Sequence, residues 1–174
     1  MKKLLAIEFE IKDLGILRYF LGMEVARSKE GIVISQRKYI LDLLREIGLL
    51  GCKPVETSMD PTKRLRRSEE SSPVDKGRYR RLVGRLIYLS HTRPYNAYSV
   101  SVVSQRMNNP TEDHLEAVNR ILRYLKMTPG HGLLFRKCES RDVEIYTDAS
   151  WAGEQTDRRS TTGYCSYVWG NLVT

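Results

Sequence analysis

The spacing of apolar residues changes along this chain, and that change limits the folds open to it. Near the start, Ile7, Phe9 and Ile11 alternate with charged residues, and a period of two predicts a strand. Between 78 and 126 the apolar residues recur every three or four positions, which predicts helices. Alternation returns after position 132. Strands towards both ends and helices between them predict an α+β protein.

A β-hairpin and one helix are predicted in the first third of the sequence. The apolar segments 19–25 and 31–34 flank Ser28-Lys-Glu-Gly31, whose residue types favour a turn. The helix that follows has an apolar stripe made of Ile40, Leu43, Leu44 and Ile47. We expect Ser35 to cap this helix and Gly48 to end it.

Three more helices are predicted after a segment that cannot be helical. From 52 to 76 the apolar period disappears, and Pro54, Pro61 and Pro73 favour a linker or a long extended connection. The helices that follow are predicted over 78–91, about 95–107 and 112–126. His91, His114 and His131 have no partners at metal-ligand spacing, so surface or capping roles are the better interpretation.

The last part of the chain predicts short strands and one exposed carboxylate. Strands are expected over 132–135, 143–148 and 163–169, with a turn at Gly170-Asn171. Asp148 lies where its strand gives way to a loop, a usual position for a metal-binding carboxylate. A single carboxylate is nevertheless a poor magnesium site, because that ion prefers six oxygen ligands. We therefore expect an incomplete catalytic site.

Composition points to an anionic partner. The formal charge is +8 and the isoelectric point is about 9.5, which favours nucleic acid, although a merely soluble basic protein has the same balance. Three widely separated cysteines indicate neither a zinc site nor a disulfide framework. Glu8 interrupts the apolar run after Lys2-Lys3, and no segment approaches a membrane span. We expect a cytoplasmic or nuclear protein that is neither secreted nor bound to a membrane.

The helix predicted after residue 78 has a cationic flank. Arg78, Arg81 and Arg85 follow one another at spacings of three and four, so they share one side of the helix. Leu82 and Leu86 belong to the buried side. The cationic side can contact successive phosphates, and the alternative is an ordinary solvated face.

Three blocks of sequence together resemble the polymerase polyprotein of copia-type long-terminal-repeat retrotransposons. The first comprises Lys12-Asp-Leu-Gly15, Tyr19-Phe-Leu-Gly-Met-Glu-Val25, Ser35-Gln-Arg-Lys-Tyr-Ile40, Cys52-Lys-Pro-Val55 and Met59-Asp-Pro61. The second comprises Tyr79-Arg-Arg-Leu-Val-Gly84-Arg-Leu-Ile-Tyr88-Leu-Ser90, Thr92-Arg-Pro94, Ala97-Tyr-Ser-Val100 and Arg120-Ile-Leu-Arg-Tyr-Leu-Lys126. The third comprises Tyr146-Thr-Asp148-Ala-Ser-Trp-Ala-Gly153, Asp157-Arg-Arg-Ser160 and Thr162-Gly-Tyr-Cys165.

The resemblance implies a domain order. Residues 1–60 would be the end of a reverse-transcriptase palm, including its edge hairpin and one helix. Residues 61–77 would be a linker, and 78–135 a helical thumb or connection region. Residues 136–174 would be the first strands of a ribonuclease H domain, a truncated sheet. Template-primer binding, to an RNA·DNA or DNA duplex without sequence preference, is the function that this arrangement implies.

The resemblance also assigns site residues. Leu21-Gly22 falls at the family's primer grip, and 80–88 resembles the thumb helix that follows the minor groove. There Gly84 would allow close backbone approach and Tyr88 would pack on sugars. The full set of predicted nucleic-acid-binding residues is Leu21, Gly22, Arg78, Arg80, Arg81, Gly84, Arg85 and Tyr88.

The family's catalytic residues are mostly missing from this sequence. It contains no adjacent pair of aspartates, which the family's polymerase site requires. Asp148 matches the first of four ribonuclease H carboxylates that hold two magnesium ions in the intact enzyme, and we interpret it as vestigial. We expect no tightly bound Mg²⁺, and a fragment that works beside other parts of the Pol polyprotein in a virus-like particle or the nucleus. The alternatives are a residual magnesium-dependent ribonuclease H completed by another chain, and an inert remnant.

Overall fold

A computed structural model describes residues 7, 9–10, 15–60, 65, 71–152, 158 and 160–174. Within them the strands are β1 (Tyr19–Phe20), β2 (Met23–Arg27), β3 (Gly31–Ser35), β4 (Gly132–Arg136), β5 (Val143–Ala149), β6 (Thr162–Val168) and β7 (Asn171–Leu172). The α-helices are α1 (Arg37–Glu46), α2 (Lys76–Ser90), α3 (Ala97–Ser104) and α4 (Glu112–Met127). Helices and antiparallel sheets therefore occupy separate segments, which confirms the α+β prediction.

The predicted hairpin belongs to a four-stranded antiparallel sheet with the order β1-β2-β3-β4. β2 and β3 pair as expected, with Val25 opposite Ile34. A second tight turn precedes them, where Leu21 and Gly22 have φ angles of 48° and 82° and join β1 to β2. Two consecutive positive φ angles are the geometry of a hairpin turn. β4 then pairs with β3 from nearly 100 residues further along the chain, a pairing that sequence reasoning missed.

Two glycines allow β3 and β4 to lie side by side. Gly31 is opposite Arg136, and Gly132 is opposite Ser35, at the two ends of the ladder. A Cβ atom added to Gly132 would lie 2.1 Å from the carbonyl oxygen of Ile34. Real Cβ atoms do not approach a backbone oxygen so closely, so any side chain at this position has to push the strands apart.

The helices bury one another's apolar stripes. α4 contributes Val118, Ile121, Leu122 and Leu125, which are at most 1% exposed. α2 contributes Tyr79, Leu82, Val83, Leu86 and Leu89. The Tyr79 hydroxyl donates a hydrogen bond to the carbonyl of Val103 in α3 at 2.8 Å, and burial raises the pKa of this phenol to about 12. The core therefore lies among the helices rather than between the sheets.

The structure contradicts the prediction at the N-terminal end of α1 and confirms it at the C-terminal end. Ser35 does not cap the helix, because it is the last residue of β3 and pairs with Gly132; Gln36 takes the N-cap position. At the other end Gly48 has φ +74° and its N–H donates to Arg45, as a glycine terminator should. The C-terminal stop was thus predicted correctly, whereas the N-terminal cap was displaced by sheet pairing.

Other predicted elements shift or shorten. The helix predicted over 95–107 is a 3₁₀ turn at Pro94–Asn96 followed by the short helix α3, since Ser and β-branched residues support a helix poorly. The last turn is centred on Trp169 and Gly170, whose φ angles are both positive, rather than on Gly170-Asn171. Of the strand predicted over 7–12, Ile7, Phe9 and Glu10 are not in a sheet, and the rest lies outside the described residues.

The predicted linker is anchored to α4 at its start. Lys126 donates to the carbonyl of Cys52, and the Nε of Arg123 donates to the carbonyl of Lys53 at 2.9 Å. Arg120 lies 3.6 Å from the carboxylate of Asp60. Residues 52–60 are not helical, as the prolines predicted. None of the helices in the described ranges is long and apolar enough to cross a membrane.

A second antiparallel sheet has the order β5-β6-β7, and the side chain of Asn171 connects it to the first sheet. The carbonyl oxygen of the Asn171 amide accepts from the N–H of Arg136 at 2.6 Å, and its NH₂ group donates to the carbonyl of Arg136 at 3.1 Å. Asn171 thereby completes the hydrogen bonds that a strand neighbour would make. β5 itself is exposed along its whole length.

A histidine closes the N-terminus of α4. The Nδ1 atom of His114 accepts a hydrogen bond from the backbone N–H of Thr111 at 3.0 Å, and the ring is 2% exposed. This is the reciprocal half of a capping box, in which His replaces the usual Glu or Gln. Burial lowers the pKa of His114 from its usual 6.5, and the charge of Arg106 lowers it further. The capping role considered for the histidines is therefore confirmed for this one.

We expect Gly132→Ala to lower the free energy of unfolding by roughly 1–3 kcal/mol, because the new methyl group collides with the Ile34 carbonyl. Urea titration followed by circular dichroism measures the loss. Gly163→Ala is the matched control, since Gly163 lies in β6 and an added Cβ would contact nothing within 4 Å. Equal losses in the two variants would contradict the close approach of β3 and β4.

The stability of the protein should depend on the protonation of His114. Its pKa is lower in the folded state, so the unfolded chain binds the proton more tightly, and stability is lost as the pH falls below about 6.5. His114→Gln keeps a side-chain acceptor for Thr111 and should flatten this part of the pH profile of unfolding free energy. His131→Gln, at an exposed position, is the control. A profile unchanged by His114→Gln would show that another group titrates.

Candidate nucleic-acid interface

The side of α2 that faces away from the helical core carries most of the predicted site residues. Arg78 and Arg81 are exposed there, one turn apart. Gly84 follows on the same side, is exposed, and has nothing within 4 Å of where a side chain would begin. The helix thus presents two cations and then an open stretch of backbone, while Leu82 and Leu86 hold its opposite side in the core.

Tyr88 joins this helix to the turn between β1 and β2. Its hydroxyl donates a hydrogen bond to the carbonyl of Leu21, 67 residues earlier in the sequence. Its ring meets the edge of Tyr39, with ring centroids 5.4 Å apart. Tyr39 in turn lies against Gly22, where an added Cβ would be 3.1 Å from the Cδ2 of that ring. Two sites that were predicted separately therefore form one surface.

The four arginines of α2 divide into two pairs. Arg85 forms an ion pair with Glu46 of α1 at 2.5 Å, and this hydrogen bond raises the pKa of Arg85 and lowers that of Glu46. Arg80 donates from Nε to the carbonyl of Met107 at 3.0 Å. With the described residues, Arg78 and Arg81 form no direct hydrogen bond or ion pair through their side chains. Among the described residues, Arg80 and Arg85 of this flank are therefore bound to groups of the protein, whereas Arg78 and Arg81 are not bound directly.

Residues that sequence reasoning did not single out complete the edge of this surface. Tyr19 and Phe20 of β1 are 51% and 59% exposed beside the turn. The ammonium group of Lys38 lies 5.7 Å from the centre of the Tyr19 ring, a cation–π distance. The apolar spacing of residues 19–25 predicts a strand, but it does not predict which side of that strand meets α1.

Asp148 lies apart from this surface, on β5. It pairs with Gly163 of β6, and its Oδ1 accepts a hydrogen bond from the N–H of Ala149 at 2.9 Å. Across the described part of the chain, no three His, Cys, Asp or Glu side chains are close enough to hold a metal ion. One carboxylate does not fit the oxygen-rich coordination of Mg²⁺, so we derive no chemical step through that ion.

Comparison with known proteins finds a family match at the start of the chain and relatives over most of its length. Residues 1–61 match the family described as reverse transcriptase (RNA-dependent DNA polymerase). The chain is 44% identical over 164 residues to the Retrovirus-related Pol polyprotein from transposon RE1 of Arabidopsis thaliana, covering 94% of this chain and 11% of that protein. It is 37% identical over 178 residues to the corresponding polyprotein from transposon TNT 1-94 of Nicotiana tabacum, covering 97% and 13%.

A shorter relative is covered more completely. An uncharacterized mitochondrial protein of Arabidopsis thaliana is 38% identical over 169 residues, which cover 97% of this chain and 70% of the relative. No solved structure gives a significant match. The chain spans about a tenth of the length of the RE1 and RE2 polyproteins, 11% in each case. These relationships and the three sequence blocks show that the chain belongs to the copia-type family of retrotransposon Pol polyproteins.

Proposed function

We propose that this chain contributes a template-primer binding surface to a reverse transcriptase of this family. One observation carries the proposal: the Tyr88 hydroxyl binds the Leu21 carbonyl and so places the β1–β2 turn beside the cationic side of α2. A turn and a helix held at a fixed spacing can contact a duplex at two points. Neither element has to reorganise when the duplex binds, which lowers the entropic cost of binding.

The chemistry of this surface suits a duplex backbone rather than individual bases. Arg78 and Arg81 lie one helical turn apart and can donate to neighbouring phosphates. The open position at Gly84 lets a sugar–phosphate strand approach the helix backbone. Tyr88 holds the turn through its hydroxyl, so we propose for it a positioning role in addition to any packing on sugars. Such contacts give sequence-independent affinity for RNA·DNA or DNA duplexes.

The same proposal assigns a role to each segment of the chain. Residues 1–60 would be the palm edge, 61–77 a linker, 78–135 the thumb and connection, and 136–174 part of a ribonuclease H-like sheet. The polymerase aspartates and the magnesium ions that they bind would come from other parts of the Pol polyprotein. The assembly would work in a cytoplasmic virus-like particle or in the nucleus.

We expect Arg78→Ala and Arg81→Ala each to weaken binding of a fluorescein-labelled RNA·DNA hybrid about three- to tenfold at low salt. Each removes one phosphate contact, so the slope of log K against log salt concentration should fall by about one unit per variant. Fluorescence anisotropy at several salt concentrations measures both quantities. Arg45→Ala removes the same charge from an exposed arginine of α1 and is the matched control. Absence of hybrid binding by the wild type at low salt would refute the proposal.

A second candidate is a residual magnesium-dependent ribonuclease H completed by another chain. The observation that favours it is the position of Asp148 on β5, an exposed strand of a three-stranded antiparallel sheet, where ligands from a second chain could reach it. On this view the missing carboxylates are supplied from outside the chain. The third possibility, an inert remnant, predicts neither binding nor cooperative unfolding.

Cleavage of a labelled RNA·DNA hybrid in the presence of Mg²⁺ separates these candidates. If the chain takes part in a ribonuclease H site, a mixture with the downstream Pol segment should cleave RNA, and Asp148→Asn should reduce the rate at least a hundredfold. Glu144→Gln, on the same strand, is the control for loss of a nearby charge. Cleavage that is unaffected by Asp148→Asn would come from a contaminating nuclease or from the added segment alone.

A further inference from the structure

The two sheets enclose a cleft that none of the site predictions included. It lies where β4 of the first sheet meets β7 of the second, and its volume is about 640 Å³. The Asn171 side chain, bonded twice to the backbone of Arg136, fixes how far apart the two sheets stand. This intersheet cleft is therefore built by a specific contact and is large enough for a small organic ligand.

The residues that line the intersheet cleft give it a strongly positive charge. Arg27, Arg136, Lys137 and Arg141 line it, and no Asp or Glu is among the described lining residues. Asp142, next to Arg141 in the sequence, accepts a hydrogen bond from the Ser140 hydroxyl at 2.6 Å. Four cations around one concave space favour an anion with more than one negative charge, because the bound anion offsets the repulsion between the cations.

Two of these cations are held in place. The guanidinium of Arg141 lies over the ring of Trp169, 4.3 Å from its centre. An arginine stacked in this way keeps the N–H groups at its edge available, and phosphate oxygens bind to that edge. Arg27 donates from Nη1 to the carbonyl of Leu17 at 2.5 Å, which leaves its remaining N–H groups for another acceptor. Within the described part of the chain, the side chains of Arg136 and Lys137 form no hydrogen bond or ion pair.

The apolar part of the lining distinguishes the ligand from a simple inorganic anion. Ile32, Phe135 and Val168 also line the cleft, and Trp169, another lining residue, is 45% exposed. A phosphodiester strand presents both charges and flat apolar bases, and aromatic side chains beside a cationic groove are the usual way to bind single strands. The volume of the cleft gives room for about one or two nucleotides.

We propose that the intersheet cleft binds a single-stranded nucleic acid, with Arg136, Lys137 and Arg141 on its phosphates and Trp169 beside a base. This site is separate from the α2 surface and does not depend on duplex binding there. The chain would then contact nucleic acid at two places: a duplex at the α2 surface and an unpaired strand in the intersheet cleft.

Tryptophan fluorescence can report on this cleft alone. The sequence contains two tryptophans, so Trp151→Phe leaves Trp169 as the single tryptophan. Trp151 is 94% exposed, and the substitution should leave the fold unchanged. We expect a saturable change in Trp169 emission when this variant is titrated at low salt with an oligothymidylate of twelve nucleotides. The reason is that the oligonucleotide replaces water beside the Trp169 ring.

Adding Arg136→Ala and Lys137→Ala to this variant should weaken its affinity for the oligonucleotide at least tenfold. The slope of log K against log salt concentration should fall by about 1.5 units, because each of the two lost contacts to a single strand releases about 0.7 of a counterion. The cation stacked on Trp169 is Arg141, which both variants keep, and matching melting temperatures verify that the fold persists. Arg45→Ala is the charge control. Arg78→Ala with Arg81→Ala should leave the Trp169 titration unchanged, so failure of the α2 proposal is distinguishable from failure of this one.

Three results would overturn the proposal. One is an unchanged Trp169 signal while anisotropy shows the oligonucleotide bound. Another is an equal response to polyglutamate, which would make the cleft a binding site for acidic protein segments. The third is inorganic phosphate binding as tightly as the oligonucleotide, which would reduce the cleft to a small-anion site.

Discussion

The burial of one stripe of α2 is the constraint on which the arrangement of the rest depends. Tyr79, Val83, Leu86 and Leu89 are at most 1% exposed, so the helix cannot rotate without exposing them to water. Burying a large apolar side chain contributes about 1.5–3 kcal/mol, far more than the surface charges can offset. The direction of Arg78, Arg81 and Gly84 follows from this packing. The candidate interface is thus a consequence of the core rather than an independent feature.

Polar contacts between distant segments then position the other elements around the helical core. Thr92 at the end of α2 donates to the buried side chain of Gln36 at 2.7 Å, which joins the helix to the start of α1. The fully buried guanidinium of Arg93 donates to the carbonyl of Thr128 just after α4. A buried charge is costly unless it is hydrogen-bonded, and Thr128 accepts from both Nη atoms of Arg93, although the Nε has no partner among the described residues. These contacts hold the two segments in one arrangement. Tyr88 and Asn171 do the same for the β1–β2 turn and for the second sheet.

Sequence reasoning succeeded for features that depend on neighbouring residues. Helices α2 and α4, the hairpin of β2 and β3, and the glycine stop at Gly48 were predicted correctly, because each follows from local spacing or backbone preference. Sequence reasoning was wrong where a distant segment of the chain binds the residue in question. Ser35 was expected to cap α1 but pairs with Gly132 in the sheet. Arg80 and Arg85 each bind a group of the protein itself in the structure, which no local pattern indicated, and their predicted part in nucleic-acid binding stays a prediction.

The sequence by itself determined the family, the α+β class and the identity of the residues on each face of α2. Those properties depend on motif order and on periods of two or 3.6 residues, which are visible without knowing what lies nearby. Only the tertiary structure decided that β4 completes the first sheet, that Tyr88 holds the β1–β2 turn, and that four cations surround one cleft. Contacts between residues far apart in the chain follow from the packing of whole elements, and no local pattern encodes them.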